Sequence, residues 1–273
     1  MQQSTNILQD RPQIARVAFL FVYTVFVYLL ILYIIQNDLI FHPDRDYISP
    51  QKLGIDSFQE APLQTQDGSH IMTWMANGDE KKSAILFLHG NSGQLAQYAP
   101  QLLELVNHGH AVLMMEYRGF GNTSGVLRED TVLYDAMVSY DFLKRKGYQD
   151  IIVMGYSFGS APAVALSNVR PVSAVILLAP FTSMEEMAAD SWFPFARYVL
   201  KDTYSSDTAI SSLSSPLLIM HGKHDAIVPY SHSERLYQLA RTPHKTLSLL
   251  PNGTHGSLFF SGQFIPKVLE FIE

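Results

Sequence analysis

At 273 residues, with a formal charge of −6, 16% charged residues and 12% aromatics, the chain has room for one sizeable domain and an appendage. Its acidic balance lacks the basic footprint of a nucleic-acid binder, and the absence of cysteine excludes disulfides, thiolate metal sites and a thiol nucleophile. Residues 1–40 hold two bases (Arg11, Arg16) and two acids (Asp10, Asp38), so the net charge rests on the remainder.

Residues 17–35 carry no charge and are rich in Phe, Val, Leu, Ile and Tyr. At ~1.5 Å per residue such a helix nearly crosses a ~30 Å hydrocarbon core. A cleaved signal peptide has a shorter apolar region, about 7–15 residues, ending at small residues. Here Gln36-Asn37-Asp38 follows instead, which favours a retained anchor. The expected organisation is an N-terminal tail over 1–16, a transmembrane anchor over 17–40, a linker over 41–54 marked by Pro43, Pro50 and Gly54, and one domain over 55–273. Arg11 and Arg16 favour a cytoplasmic N-terminus, placing the domain on the periplasmic or extracytoplasmic side with the bilayer as its partner.

Within the body, residues 55–62 and 70–76 flank the Asp67-Gly68 turn signal and predict an antiparallel hairpin. Continuous apolar runs at 84–88, 111–115, 151–154, 174–179 and 217–220 suit parallel strands covered on both faces. Between them, Val132, Leu133, Ala136, Met137, Tyr140 and Leu143 recur at helical spacing over 130–146. A closing helix is expected over about 259–272, with Pro266 near its start or at a kink. Strand and helix alternate, which predicts a doubly wound, mostly parallel α/β sheet.

Gly155-Tyr156-Ser157-Phe158-Gly159 follows one of these strands and opens a helix-compatible, Ala-rich segment over 160–167. That is the strand–turn–helix setting of a nucleophile elbow, where glycines on either side let the strained serine turn approach its neighbours. A serine hydroxyl needs a base within hydrogen-bond reach and a carboxylate to orient that base. Asp225 stands in His221-Gly222-Lys223-His224-Asp225 just after a strand, and His255 stands in a loop after the run 246–250, in the chain order Ser, Asp, His. An oxyanion hole needs two backbone N–H donors; Phe158 is the first candidate and Asn91, in His89-Gly90-Asn91-Ser92-Gly93, the second. His89 is read as bracing that loop. Arg118, in Glu116-Tyr117-Arg118-Gly119-Phe120-Gly121, is read as a structural cation satisfying loop carbonyls.

His108 with His110, and His221 with His224, lack carboxylates at a convincing ligand spacing, and no phosphate-binding glycine loop ends in Gly-Lys-Ser/Thr. No metal or cofactor is therefore expected. The stretch 181–213 carries Trp192, Phe193, Phe195 and Tyr198 and reads as a small cap. Trp192, Phe193 and Phe195, together with Tyr156 of the elbow, are the candidates for lining a substrate pocket; the cap aromatics equally suit packing the cap onto the body.

These residues resemble the membrane-anchored, single-pass α/β-hydrolases that include α/β-hydrolase domain-containing protein 13 and its bacterial and fungal relatives. The resemblance rests on Leu39-Ile40-Phe41-His42-Pro43, the Asn91 and Tyr117 loops, the Ser157 elbow, Pro180-Phe181-Thr182-Ser183, and 221–229. It implies the α/β-hydrolase fold, a serine hydrolase with Ser157, Asp225 and His255 as its triad, and ester or thioester substrates. The chain departs from the family pattern at Glu116, where Asp is usual, at Tyr156 and Phe158, where Arg and Leu are common, and at Gly256-Ser257, where Asn-Asp is common. A serine peptidase of the same fold and a non-catalytic membrane scaffold are the competing expectations.

Overall fold

The computed structural model describes residues 11–190, 193 and 195–273. One helix, α1 (Arg11–Ile40), opens it; its segment Gln13–Ile40 is long and apolar enough to cross a membrane. The strands are β1 (His42–Pro43), β2 (Gln59–Glu60), β3 (Leu63–Gln64), β4 (His70–Ile71), β5 (Thr73–Ala76), β6 (Ala84–Leu88), β7 (Ser92–Gly93), β8 (Ala111–Met115), β9 (Ile151–Tyr156), β10 (Ala174–Leu178), β11 (Leu217–Gly222) and β12 (Lys245–Leu250). The helices after α1 are α2 (Ala99–Asn107), α3 (Glu129–Arg145), α4 (Ser160–Ser167), α5 (Met184–Ala189), α6 (Ser206–Ala209), α7 (Ser231–Leu239), α8 (His255–Phe260) and α9 (Phe264–Ile272).

Eight strands form one sheet in the order β12-β11-β10-β9-β6-β8-β5-β2, with every pairing parallel except β8 with β5 and β5 with β2. Successive strand residues point to opposite faces, and both faces are covered, as the unbroken apolar runs require. Leu86 and Leu88 join α3, α4 and α7 in one buried cluster, while Ile85 and Phe87 join α2 and α9 in the other. The mostly parallel α/β sheet is the architecture expected from the alternating pattern.

The N-terminal hairpin has one register throughout: Gln59 pairs with Met75, Glu60 with Trp74, Leu63 with Ile71 and Gln64 with His70. Pro62, which has no N–H to donate, interrupts the ladder and splits it into two short pairs. Two expectations are corrected. Residues 41–54 are not a free linker, because β1 pairs in parallel with β7, and His42 and Asp44 donate to the carbonyls of Asn91 and Gly93 (2.9 and 3.0 Å). The closing helix is two helices, α8 and α9, with Pro266 in the first turn of α9, where its missing N–H costs nothing.

Candidate active site

Four strands deliver the site from their C-terminal ends, where loops of a doubly wound sheet converge. After β9 the chain turns so sharply that Ser157 takes φ 51°, a left-handed conformation rare outside glycine. The flanking glycines permit it: a Cβ on Gly159 would lie 2.0 Å from the Leu88 carbonyl oxygen, and one on Gly155 2.4 Å from that of Gly159.

Ser157 Oγ donates to His255 Nε2 (2.9 Å), and His255 Nδ1 donates to Asp225 Oδ2 (2.6 Å). The loops bearing the last two residues are tied together by the His224 N–H, which donates to the Gly253 carbonyl (2.9 Å). His255, expected in a loop, is the first residue of α8, capped by Thr254, whose hydroxyl accepts from Ser257 N–H while Ser257 Oγ accepts from Thr254 N–H. Ser257, one of the departures from the family pattern, thus holds His255 in place.

The Asp225 side chain is fully buried yet stays ionised. Burial alone would raise its carboxyl, but hydrogen bonds from His221, His255 and the Val228 N–H outweigh that and hold it well below the usual carboxylate range. His221 is the functional neighbour that sequence reasoning missed. Its Nε2 donates to the Val228 carbonyl (2.9 Å) and toward Asp225 Oδ2 (3.1 Å), while its Nδ1 shares a hydrogen bond with Ser233 Oγ (2.6 Å). The carbonyl can only accept, so Nε2 carries a proton and His221 donates to the carboxylate.

Asn91 and Phe158 both border the cavity that holds Ser157. Phe158 N–H belongs to the first turn of the helical segment, where backbone donors have no intrahelical partner. The Phe158 ring fills the core against Phe41 (4.9 Å), Tyr117 (5.2 Å) and Tyr204 (4.9 Å). Asn91 Nδ2 donates to the Ile40 carbonyl (2.5 Å), which joins this loop to the end of α1. His89 is fully buried beneath the loop, its Nε2 2.8 Å from Glu116 Oε1 and its carbonyl accepting from Tyr117 Oη (2.8 Å). Arg118 is structural, but its partners are carboxylates rather than loop carbonyls: it grips both oxygens of Asp135 (2.8 and 2.7 Å) and one of Asp67 (2.6 Å).

The cavity measures about 260 Å³, and no charged side chain of the described residues lines it. Its walls come from Phe181, Met184, Met187 and Phe193 of the cap, from Ile227 and Val228, and from Leu32, Gln36, Leu39 and Ile40 of α1. Two pocket candidates are corrected. Tyr156 lies behind the site, its ring 5.4 Å from that of His255 and its hydroxyl donating to the His255 carbonyl (3.1 Å), because β9 turns that residue away from the serine's side. Phe195 points outward, 58% exposed and stacked on Tyr198. Trp192 lies outside the described residues.

The family described as "alpha/beta hydrolase fold" matches residues 83–209, and a second, described as serine aminopeptidase, matches 195–260. The chain is 30% identical over 231 residues to YfhR of Escherichia coli O157:H7, covering 80% of each. It is 32% identical over 227 residues to Rv2307c of Mycobacterium tuberculosis, covering 81% of this chain and 80% of that one. Among solved structures it is similar to the esterase Pf2001 of Pyrococcus furiosus, with TM-score 0.68 at 20% identity over 84% of this chain and 97% of that one. With this sheet, this elbow and relatives that match it over most of their length, the chain belongs to the α/β-hydrolase family.

Proposed function

We propose that this α/β-fold hydrolase is a membrane-anchored serine hydrolase, which cleaves carboxylic ester or thioester bonds of hydrophobic acyl substrates. The observation that carries this reading is the hydrogen-bonded series Ser157–His255–Asp225 beside a cavity whose described lining is uncharged.

Ser157 Oγ attacks the acyl carbonyl carbon while its proton passes to His255 Nε2. Negative charge develops on the carbonyl oxygen, which the Phe158 and Asn91 N–H groups receive. The C–O or C–S bond then breaks, the leaving group takes the proton from His255, and the acyl group remains on Ser157. Water, deprotonated by His255, then attacks the acyl carbon, and as the bond to Ser157 Oγ breaks His255 returns the proton to that oxygen and the carboxylic acid leaves. Ionised Asp225 keeps the His255 proton on Nδ1, leaving Nε2 free to accept, and stabilises the imidazolium formed in each step.

Anchoring rests on α1. Val17, Phe19, Leu20, Phe21 and Val22 are each 59–69% exposed, a contiguous apolar surface far larger than water-soluble proteins present. A bilayer covers it, and Arg16 beside the first turns favours an orientation with the body outside the cytoplasm.

The match to a serine aminopeptidase family favours a second reading, peptide hydrolysis. A free α-ammonium needs a carboxylate, and the described lining has none. Ser157→Ala should lower kcat on an acyl 4-nitrophenyl ester by on the order of 10⁶ and abolish labelling by a fluorophosphonate. Wild-type turnover or undiminished labelling in that variant would remove the assignment. Faster hydrolysis of a peptide amide than of the matched ester would instead establish the peptidase. Labelling intact against lysed cells reads the orientation.

A further inference from the structure

Four residues of α1 line the cavity above Ser157: Leu32, Gln36, Leu39 and Ile40. Their spacing puts them on one helix face, and they span about 12 Å along the axis. This end of the helix differs from the rest. Leu32 is 5% exposed and Gln36 7%, and Gln36 is held by the cap: its Nε2 donates to the Val199 carbonyl (3.1 Å) and its Oε1 accepts from Lys201 N–H (2.8 Å). A hydrocarbon core of about 30 Å takes up about 20 residues. Counted from Val17, it ends near Gln36. Leu32 and Gln36 then stand at the bilayer boundary, and Leu39 and Ile40 beyond it, where the Ile40 carbonyl accepts from Asn91. Beside this boundary Lys201 lies over the Tyr33 ring (4.7 Å), and Phe195 and Tyr198 are exposed, residue types that settle among lipid headgroups.

We propose that the membrane helix is itself a wall of the substrate site: its Leu32–Gln36–Ile40 face is the subsite for the acyl chain of a bilayer-resident lipid ester. The chain slides from the bilayer along that face to Ser157 without crossing water. The uncharged lining fits an acyl tail, and the tie between Asn91 and Ile40 keeps the wall in register with the oxyanion loop. This inference rests on the serine-hydrolase reading above.

The test uses the full chain in phosphatidylcholine vesicles, comparing kcat/KM for dodecanoyl and acetyl esters. Leu32→Trp and Leu39→Trp fill the subsite and should each lower the dodecanoyl-to-acetyl ratio at least about ten-fold, since methylene-scale exclusion discriminates by about that much. Val22→Trp, on the lipid-facing part of α1, should keep the wild-type ratio. Ratios within about two-fold of wild type in both leucine variants would overturn the proposal. Wild-type protein supplies a measurement independent of variant folding: a long-chain alkyl fluorophosphonate with a terminal diazirine, irradiated after reacting with Ser157, should crosslink within residues 32–40, 184–188 or 196–200. Crosslinks confined to other segments would overturn the subsite while leaving the hydrolase reading standing. Failure of Ser157 to take any fluorophosphonate would overturn both.

Discussion

Asp225 holds two imidazoles at once, and only one of them belongs to the proposed reaction path. His221 has no line of sight to a substrate; it acts through Asp225 as a positioning residue, itself fixed by Ser233. Its hydrogen bond goes to a buried charge, where removal costs about 1.5–3 kcal/mol. His221→Asn should therefore lower kcat roughly 10–100-fold with little change in KM, because the carboxylate loses orientation rather than the site losing substrate contacts. Steady-state kinetics on one ester check this; an unchanged kcat with a raised KM would contradict it. Sequence offered Asp225 and His255 by their places after strands. It offered nothing for His221, whose partner Ser233 reaches it only because α7 folds back against β11.

At the scale of elements, the elbow shows why local pattern and steric need coincide. β9 was legible as an apolar run and α4 as an Ala-rich segment, and the glycines between them mark where backbone meets backbone. Gly159→Ala would push a methyl into the Leu88 carbonyl, which β6 cannot move without breaking its ladders to β8 and β9. The expected cost is at least about 3 kcal/mol, the upper range for overpacking, measured as a lowered urea midpoint or loss of soluble protein. A near-wild-type midpoint would show that the turn has slack. The C-terminal region reads as one helix over 259–272, but Ser261-Gly262-Gln263 interrupts its apolar residues, and there the chain breaks into α8 and α9. β12, legible as the run 246–250, lies at the sheet edge, and only Leu250 at its end is buried.

For the whole molecule, stability should fall on the acid side. His232 is buried between α7 and the start of the cap; burial is the largest influence lowering its pKa, and the nearby Glu186 only partly offsets it. The Thr182 N–H donates into His232 Nδ1 (3.3 Å), which fixes the neutral ring. His110, also lowered by burial, acts in the same direction. Below the ordinary imidazole value of about 6.5, the unfolded chain takes up protons that the folded chain refuses, so stability present above that value is lost as pH falls. Urea unfolding at about pH 7.5 and about pH 5.5 should show this loss, and His232→Gln should reduce it. An equal loss in the variant would place the acid sensitivity elsewhere.

The sequence by itself determined the sheet, the elbow at Ser157 and the order in which Asp225 and His255 follow it. These depend on hydrophobic period, on steric room at glycines and on loops leaving strand ends, all of which are local. Only the tertiary structure decided what surrounds them: the second imidazole on Asp225, Tyr156 turned behind His255, and α1 forming a wall of the cavity. Gln36 meets Val199 across 163 positions, and Tyr156 meets His255 across 99. Contacts of that separation arise when whole elements pack together, and no period within either segment records them.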